Sequence, residues 1–96
     1  MVLSLDYDDT YTEDPEFWLD FISRCKLRGH KIYCVTMRDD TTAQLIDPRL
    51  HQSVTIFATC GQAKKAYCEA RGIRIDIWID DHPEWIGKSL WEEKDV

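Results

Sequence analysis

Carboxylates crowd two places in this sequence. Leu3-Ser4-Leu5 runs into Asp6-Tyr7-Asp8-Asp9-Thr10, and Ile77-Trp78-Ile79 runs into Asp80-Asp81. Each apolar run has the length of a buried parallel strand, and in open α/β sheets the ligand site lies beyond the carboxyl ends of such strands. If the two strands are neighbours, Asp6, Asp8, Asp80 and Asp81 meet in one small volume. Acids packed that closely repel unless shared protons or a cation offset the charge, and hard oxygen donors suit magnesium. The chemistry on offer is that of a divalent-metal site.

The elements that must position these acids can be read along the chain. Residues 2–6 form a first strand. Asp14-Pro15-Glu16 opens a helix, with Pro at the first helical position and acids in the first turn. Phe17, Trp18, Phe21, Ile22 and Cys25 recur on one face of it, and Gly29 closes it. Residues 31–36 read as a second strand, followed by a short helical piece over 42–46 that Asp47-Pro48 stops. Residues 54–58 make a third strand. Gly61 and Gly72 bracket another helix with Ala63, Ala66, Tyr67 and Ala70 inward, and residues 75–79 are a fourth strand. Asp81 and Pro83 open a last helix with Ile86 and Leu90 inward, before a charged tail from Glu92 to Asp95. Strand and helix in alternation imply right-handed crossovers and a mainly parallel sheet covered on both faces. The expected fold is a three-layer α/β/α Rossmann-like sandwich, one domain over residues 1–96.

Composition narrows the function classes. A chain of 96 residues, 44% of them hydrophobic, makes one core and no second domain. A net charge of -6 disfavours, without forbidding, a nucleic-acid partner, and gives no attraction to an anionic membrane. Cys25, Cys34, Cys60 and Cys68 lack the close pairing of metal ligands and read as small buried thiols in a reducing compartment. No apolar run approaches the roughly 20 residues of a membrane span, and Met1 opens directly into a strand rather than a signal sequence. A soluble, cytoplasmic protein is the expectation.

With the motifs in view, the chain resembles the haloacid dehalogenase-like (HAD) superfamily of phosphotransferases over essentially its whole length. Asp6-Tyr7-Asp8-Asp9-Thr10 is similar to the first motif, Asp-x-Asp-x-Thr after a hydrophobic strand. Thr36, closing Ile32-Tyr33-Cys34-Val35, resembles the second. Lys64, with Lys65 as the alternative, resembles the third, and Asp80-Asp81 the fourth, a paired acid ending the last core strand. One motif alone would be a weak signal; four in the family's order are strong.

The resemblance implies a magnesium-dependent phosphohydrolase. Asp6 would attack phosphorus to give an aspartyl-phosphate, and Asp8 would protonate the leaving oxygen and then activate water. Magnesium would be held by Asp6, the backbone carbonyl of Asp8, and one or both of Asp80 and Asp81. Thr36 would donate to a phosphoryl oxygen, and Lys64 would neutralise Asp6 and the transferred group. Thr10 and Arg38 are the candidate substrate contacts, Arg38 because it lies in the loop at the site edge. Asp9 stands where many family members have Gly. Asp tolerates the left-handed region, so the sharp turn required after Asp6 remains available.

Family members often draw selectivity from cap domains inserted after the first motif or between the third strand and third motif. Here Tyr11, Thr12 and Glu13 alone separate Thr10 from the helix cap, and Ala58 runs almost into Gly61, so no cap domain fits. An open site implies either a phosphate on a nucleic acid or protein, or a small phosphorylated substrate enclosed by a second subunit of a homo-oligomer. A different class of function also stays open, a phosphoacceptor or metal-binding module that does not turn over. Receiver domains share such an acid pocket, but place the acceptor on a middle strand and the acid pair on the first.

Blander readings accompany each residue. Asp81 before Pro83 suits a helix cap, Thr36 an ordinary strand end, and Lys64 and Lys65 a solvated helix face. Arg38 suits the surface. His82 and Trp85 read as an exposed helix-start histidine and a packed tryptophan, and Trp18, Trp78 and Trp91 as packing residues.

Overall fold

In the computed structural model, which describes residues 1–94, four strands form one all-parallel sheet in the order β3-β2-β1-β4. They are β1 (Val2–Leu5), β2 (Lys31–Thr36), β3 (Thr55–Ala58) and β4 (Ile77–Ile79). Between and after them lie α1 (Pro15–Leu27), α2 (Asp40–Ala43), α3 (Pro48–Ser53), α4 (Lys64–Ala70) and α5 (Glu84–Gly87). The alternation read from the sequence is therefore a parallel α/β fold.

Register decides what meets at the carboxyl edge. Leu5 lies opposite Cys34 on one side and Ile79 on the other, so Asp6 and Asp80 end level while β2 runs on to Thr36. Side chains alternate across the sheet. Leu3 and Leu5 of β1 and Ile32 and Cys34 of β2 enter a core with Ile22 and Cys25 of α1 and Leu50 of α3.

The best-signalled helix forms as its residues demand. The Asp14 side chain accepts from the Phe17 N–H at 3.2 Å, with Pro15 at the first helical position. Gly29, at φ +81°, lets the His30 N–H return to the Cys25 carbonyl at 2.9 Å and its own N–H to Lys26 at 3.0 Å, a Schellman closure.

Elsewhere the boundaries move. The short helix expected over 42–46 lies at Asp40–Ala43, because the Asp39 side chain accepts from the Thr42 N–H at 2.7 Å and starts it earlier. Asp47-Pro48, read as a stop, also starts α3, Asp47 accepting from the Arg49 N–H at 2.9 Å. The inward face of α4 is Lys64 and Cys68 with Ala63 ahead of them, whereas Ala66 and Ala70 are exposed. That face is set by the acids Lys64 must reach, which apolar spacing does not reveal. Asp76 is engaged with Val2, its side chain accepting from the Val2 N–H at 2.8 Å, and β4 begins only at Ile77.

The last helix is short, and Leu90 begins a 3₁₀ turn, its side chain partly covered over Gly61. Trp91 is exposed, not a packing residue, and Asp95 lies outside the described residues. All four cysteines are free thiols, three buried and Cys60 exposed. Among the described residues no helix is long and apolar enough to cross a membrane.

Candidate active site

Strand order puts β1 between β2 and β4, so the ends carrying Asp6, Thr36 and Asp80-Asp81 are adjacent. Connections leave toward β2 and return on the other side of β1, the kind of reversal at which open α/β sheets form a crevice. The Asp6 N–H donates to the Ile79 carbonyl at 2.9 Å, extending the ladder by one step before the chain turns. The turn is tight: the Tyr11 N–H returns to the Asp6 carbonyl at 3.3 Å and the Thr12 N–H to that of Tyr7 at 3.1 Å. Asp9 supplies the left-handed residue at φ +61°, where the resemblance places Gly, and its N–H donates to Thr12 Oγ1 at 3.0 Å.

Lys64 is almost wholly buried, 1% exposed, yet charged. Its Nζ donates to Asp6 Oδ1 at 2.9 Å and to Asp80 Oδ2 at 2.5 Å. Burial works against the ammonium, but these two carboxylates outweigh it and hold its pKa above the usual lysine range. Lys65, the sequence alternative, points to solvent. Thr10 Oγ1 lies 3.2 Å from Asp6 Oδ2 and 3.1 Å from Asp81 Oδ1, tying the first motif to the paired acids.

Crowding shows in the acids themselves. Burial pushes the Asp6 carboxyl up to about 7, against the pull of Lys64, with Asp81 and Asp80 adding to the rise. Asp81 is lowered instead, chiefly by its hydrogen bond from Asp6 and then by that from Thr10. Without a metal, a proton held by this pair below about pH 7 sits on Asp6.

Asp6, Asp80 and Asp81 each offer an oxygen within 4.8 Å of the others'. On an octahedral magnesium with bonds of about 2.1 Å, neighbouring oxygens lie about 3.0 Å apart and opposite ones about 4.2 Å, so the trio must draw closer together to close on an ion. Once Asp6 gives up its proton, three carboxylates against one buried ammonium leave a deficit of two charges, which a divalent cation matches. The donor set fits magnesium. The Asp8 carboxylate is not in the trio.

Asp8 turns instead toward β2, where Arg38 grips it with both arms of its fork: Nη2 to Oδ1 at 2.7 Å and Nε to Oδ2 at 3.0 Å. Arg38 Nη1 also donates to the Thr42 carbonyl at 2.9 Å, and the guanidinium lies 5.1 Å above the centre of the Tyr7 ring. Thr36 is buried, its Oγ1 accepting from the Arg38 N–H at 3.4 Å. A cleft of about 280 Å³ opens here, walled by Asp6, Asp8, Thr36, Arg38, Lys64 and Asp81. His82 and Trp85 join that wall with rings stacked at 4.3 Å.

Sequence reading missed the brace beneath this site. Tyr11, 1% exposed, stacks on Tyr7 and donates from its hydroxyl to Asp47 Oδ2 at 2.7 Å, and the Tyr7 hydroxyl accepts from the Asp47 N–H at 3.1 Å. Arg49 grips Asp47 in turn at 2.8 Å. Tyrosines four residues apart and a distant Asp47-Pro48 pair carry no motif, so only the tertiary contact reveals them. Comparison of the chain with family models, curated proteins and solved structures finds no match.

Proposed function

We propose that this protein is a magnesium-dependent phosphohydrolase of the HAD type, acting on phosphomonoesters through an aspartyl-phosphate on Asp6. The observation that carries the proposal is the buried Lys64 ammonium between Asp6 and Asp80, residues that lie 58 and 16 positions away in the chain. A lysine is not buried in this way without anionic partners. Here its partners are the nucleophile and a metal-binding acid that the resemblance names, and the Thr36 hydroxyl stands at the same edge.

The division of labour follows from charge. Asp6, Asp80 and Asp81 would hold magnesium, which when bound offsets phosphoryl charge and lowers the carboxyl of Asp6 so that it is an anion at neutral pH. Lys64 neutralises Asp6 and the phosphoryl oxygens nearest it. Thr36 donates one hydrogen bond to the phosphoryl group. Asp6 attacks phosphorus as the ester oxygen leaves, Asp8 gives that oxygen a proton, and Asp8 then takes a proton from the water that releases phosphate from Asp6.

The same reading makes the domain a three-layer sandwich without a cap. In support, a single 3₁₀ turn, Tyr11–Glu13, fills the segment before α1, and Cys60 and Gly61 turn the chain from β3 into α4 at φ +55° and +86°. Steady-state release of phosphate from an aryl phosphate tests the function. Continuous release with magnesium is expected. Release that stops after one equivalent would instead mark a phosphoacceptor, and none at all would remove both readings.

A further inference from the structure

Arg38 and Asp8 face the cleft as an ion pair that occupies two groups the proposed chemistry needs. Both Asp8 oxygens accept from the Arg38 fork, at 2.7 and 3.0 Å, so both are engaged by a cation. The pair is partly solvated, its side chains 26% and 51% exposed, and an exposed pair of this kind exchanges partners readily. Arg38 is held independently of Asp8. Its Nη1 is tied to the Thr42 carbonyl, its Cζ lies 5.1 Å over the Tyr7 ring centre, and its N–H is bonded to Thr36. A guanidinium so fixed can change the anion on its fork without leaving the wall.

We infer that Arg38 is a receptor for a second oxyanion on the substrate, and that this oxyanion takes the place of Asp8 on the fork and frees Asp8, which then takes up a proton from solvent and carries it to the leaving group. This rests on the phosphohydrolase reading, and it names the substrate class: a phosphomonoester with a carboxylate, a second phosphate or a phosphodiester near the scissile ester. Planar two-point recognition of such groups is what arginine does best. Arg38 thus positions Asp8 by letting go of it.

Two matched probe pairs test the exchange. For turnover, phosphoglycolate is compared with ethyl phosphate, which lacks the carboxylate. For binding, the magnesium-loaded wild type is titrated with 3-phosphonopropionate or propylphosphonate, neither of which can be hydrolysed. The NMR resonance of the Arg38 Nε–H, assigned by its loss in Arg38→Met, is followed. Wild type should favour phosphoglycolate in kcat/KM by about tenfold or more, the usual weight of one charge-assisted hydrogen-bonded pair. Arg38→Met should bring that ratio near one, and Arg38→Lys, with charge but no fork, should keep only part of it. The Nε–H resonance should move with 3-phosphonopropionate and not with propylphosphonate. An unmoved resonance, equal movement with both, or a preference that survives Arg38→Met would overturn the inference. Failure to release phosphate from any ester would overturn the phosphohydrolase reading alone, since the resonance decides the exchange by itself.

Discussion

Replacing Asp6 with asparagine should stabilise the metal-free protein at pH 8 while removing its activity. Folding takes this carboxyl from 3.8 to about 7, mainly by burial. Because its folded value is raised, the folded state holds more protons than the unfolded chain between about pH 4 and 7, and stability falls as pH rises through that window. At about 1.4 kcal/mol per pH unit, ionising Asp6 in place costs the fold up to about 4 kcal/mol at pH 8. An amide has the shape of the protonated acid: its oxygen still accepts from Lys64, and its nitrogen can donate toward Asp81. Urea unfolding in chelator should therefore make Asp6→Asn more stable than wild type by about 2 to 4 kcal/mol at pH 8 and nearly equal to it at pH 4. Magnesium should close the gap from the other side, because it binds only the folded wild-type cluster. An amide variant no more stable than wild type at pH 8, or stabilised equally at both pH values, would refute the reasoning.

Asp8→Asn should slow alkyl esters, whose leaving oxygens need a proton, far more than activated aryl esters, and equal losses on both classes would remove Asp8 from the acid role. Lys64→Met should destabilise the metal-free protein by about 3–5 kcal/mol at pH 8 in urea titrations, because it leaves Asp6 and Asp80 buried without their cation. The loss should be smaller at pH 5, where Asp6 keeps its proton. Asp81→Ala should lower the metal-free melting temperature slightly, because it removes the acceptor of Thr10 and Asp6, and should reduce the gain that magnesium brings, so an undiminished gain in calorimetry would take Asp81 out of the metal set.

Much of this arrangement was legible from residue types because it depends on chain order. Asp6 and Asp80 end strands, Thr36 ends a strand and Lys64 starts a helix, so a parallel sheet with β1 between β2 and β4 suffices to gather them. Asp9 was equally readable, since few residues other than glycine accept φ +61°. The Lys64 and Lys65 ambiguity was not, because helical spacing cannot say which of two adjacent lysines turns inward. The side-chain traffic was hidden for the same reason. Arg38 reaching Asp8, Thr10 bridging Asp6 and Asp81, and Tyr11 reaching Asp47 are contacts between loops, and loops carry no periodicity to read. Boundary errors arose where a side chain capped a helix ahead of the apolar pattern, as Asp39 does for α2.

The proposed nucleophile can be tested directly by mixing the protein with magnesium and an aryl phosphate, quenching in acid within the first turnover, and mapping the peptides by mass spectrometry. A phosphoryl adduct on Asp6, prolonged in Asp8→Asn and missing in Asp6→Asn and in chelator, is the predicted result. Phosphate release with no adduct on Asp6, or release undiminished in Asp6→Asn, would contradict it.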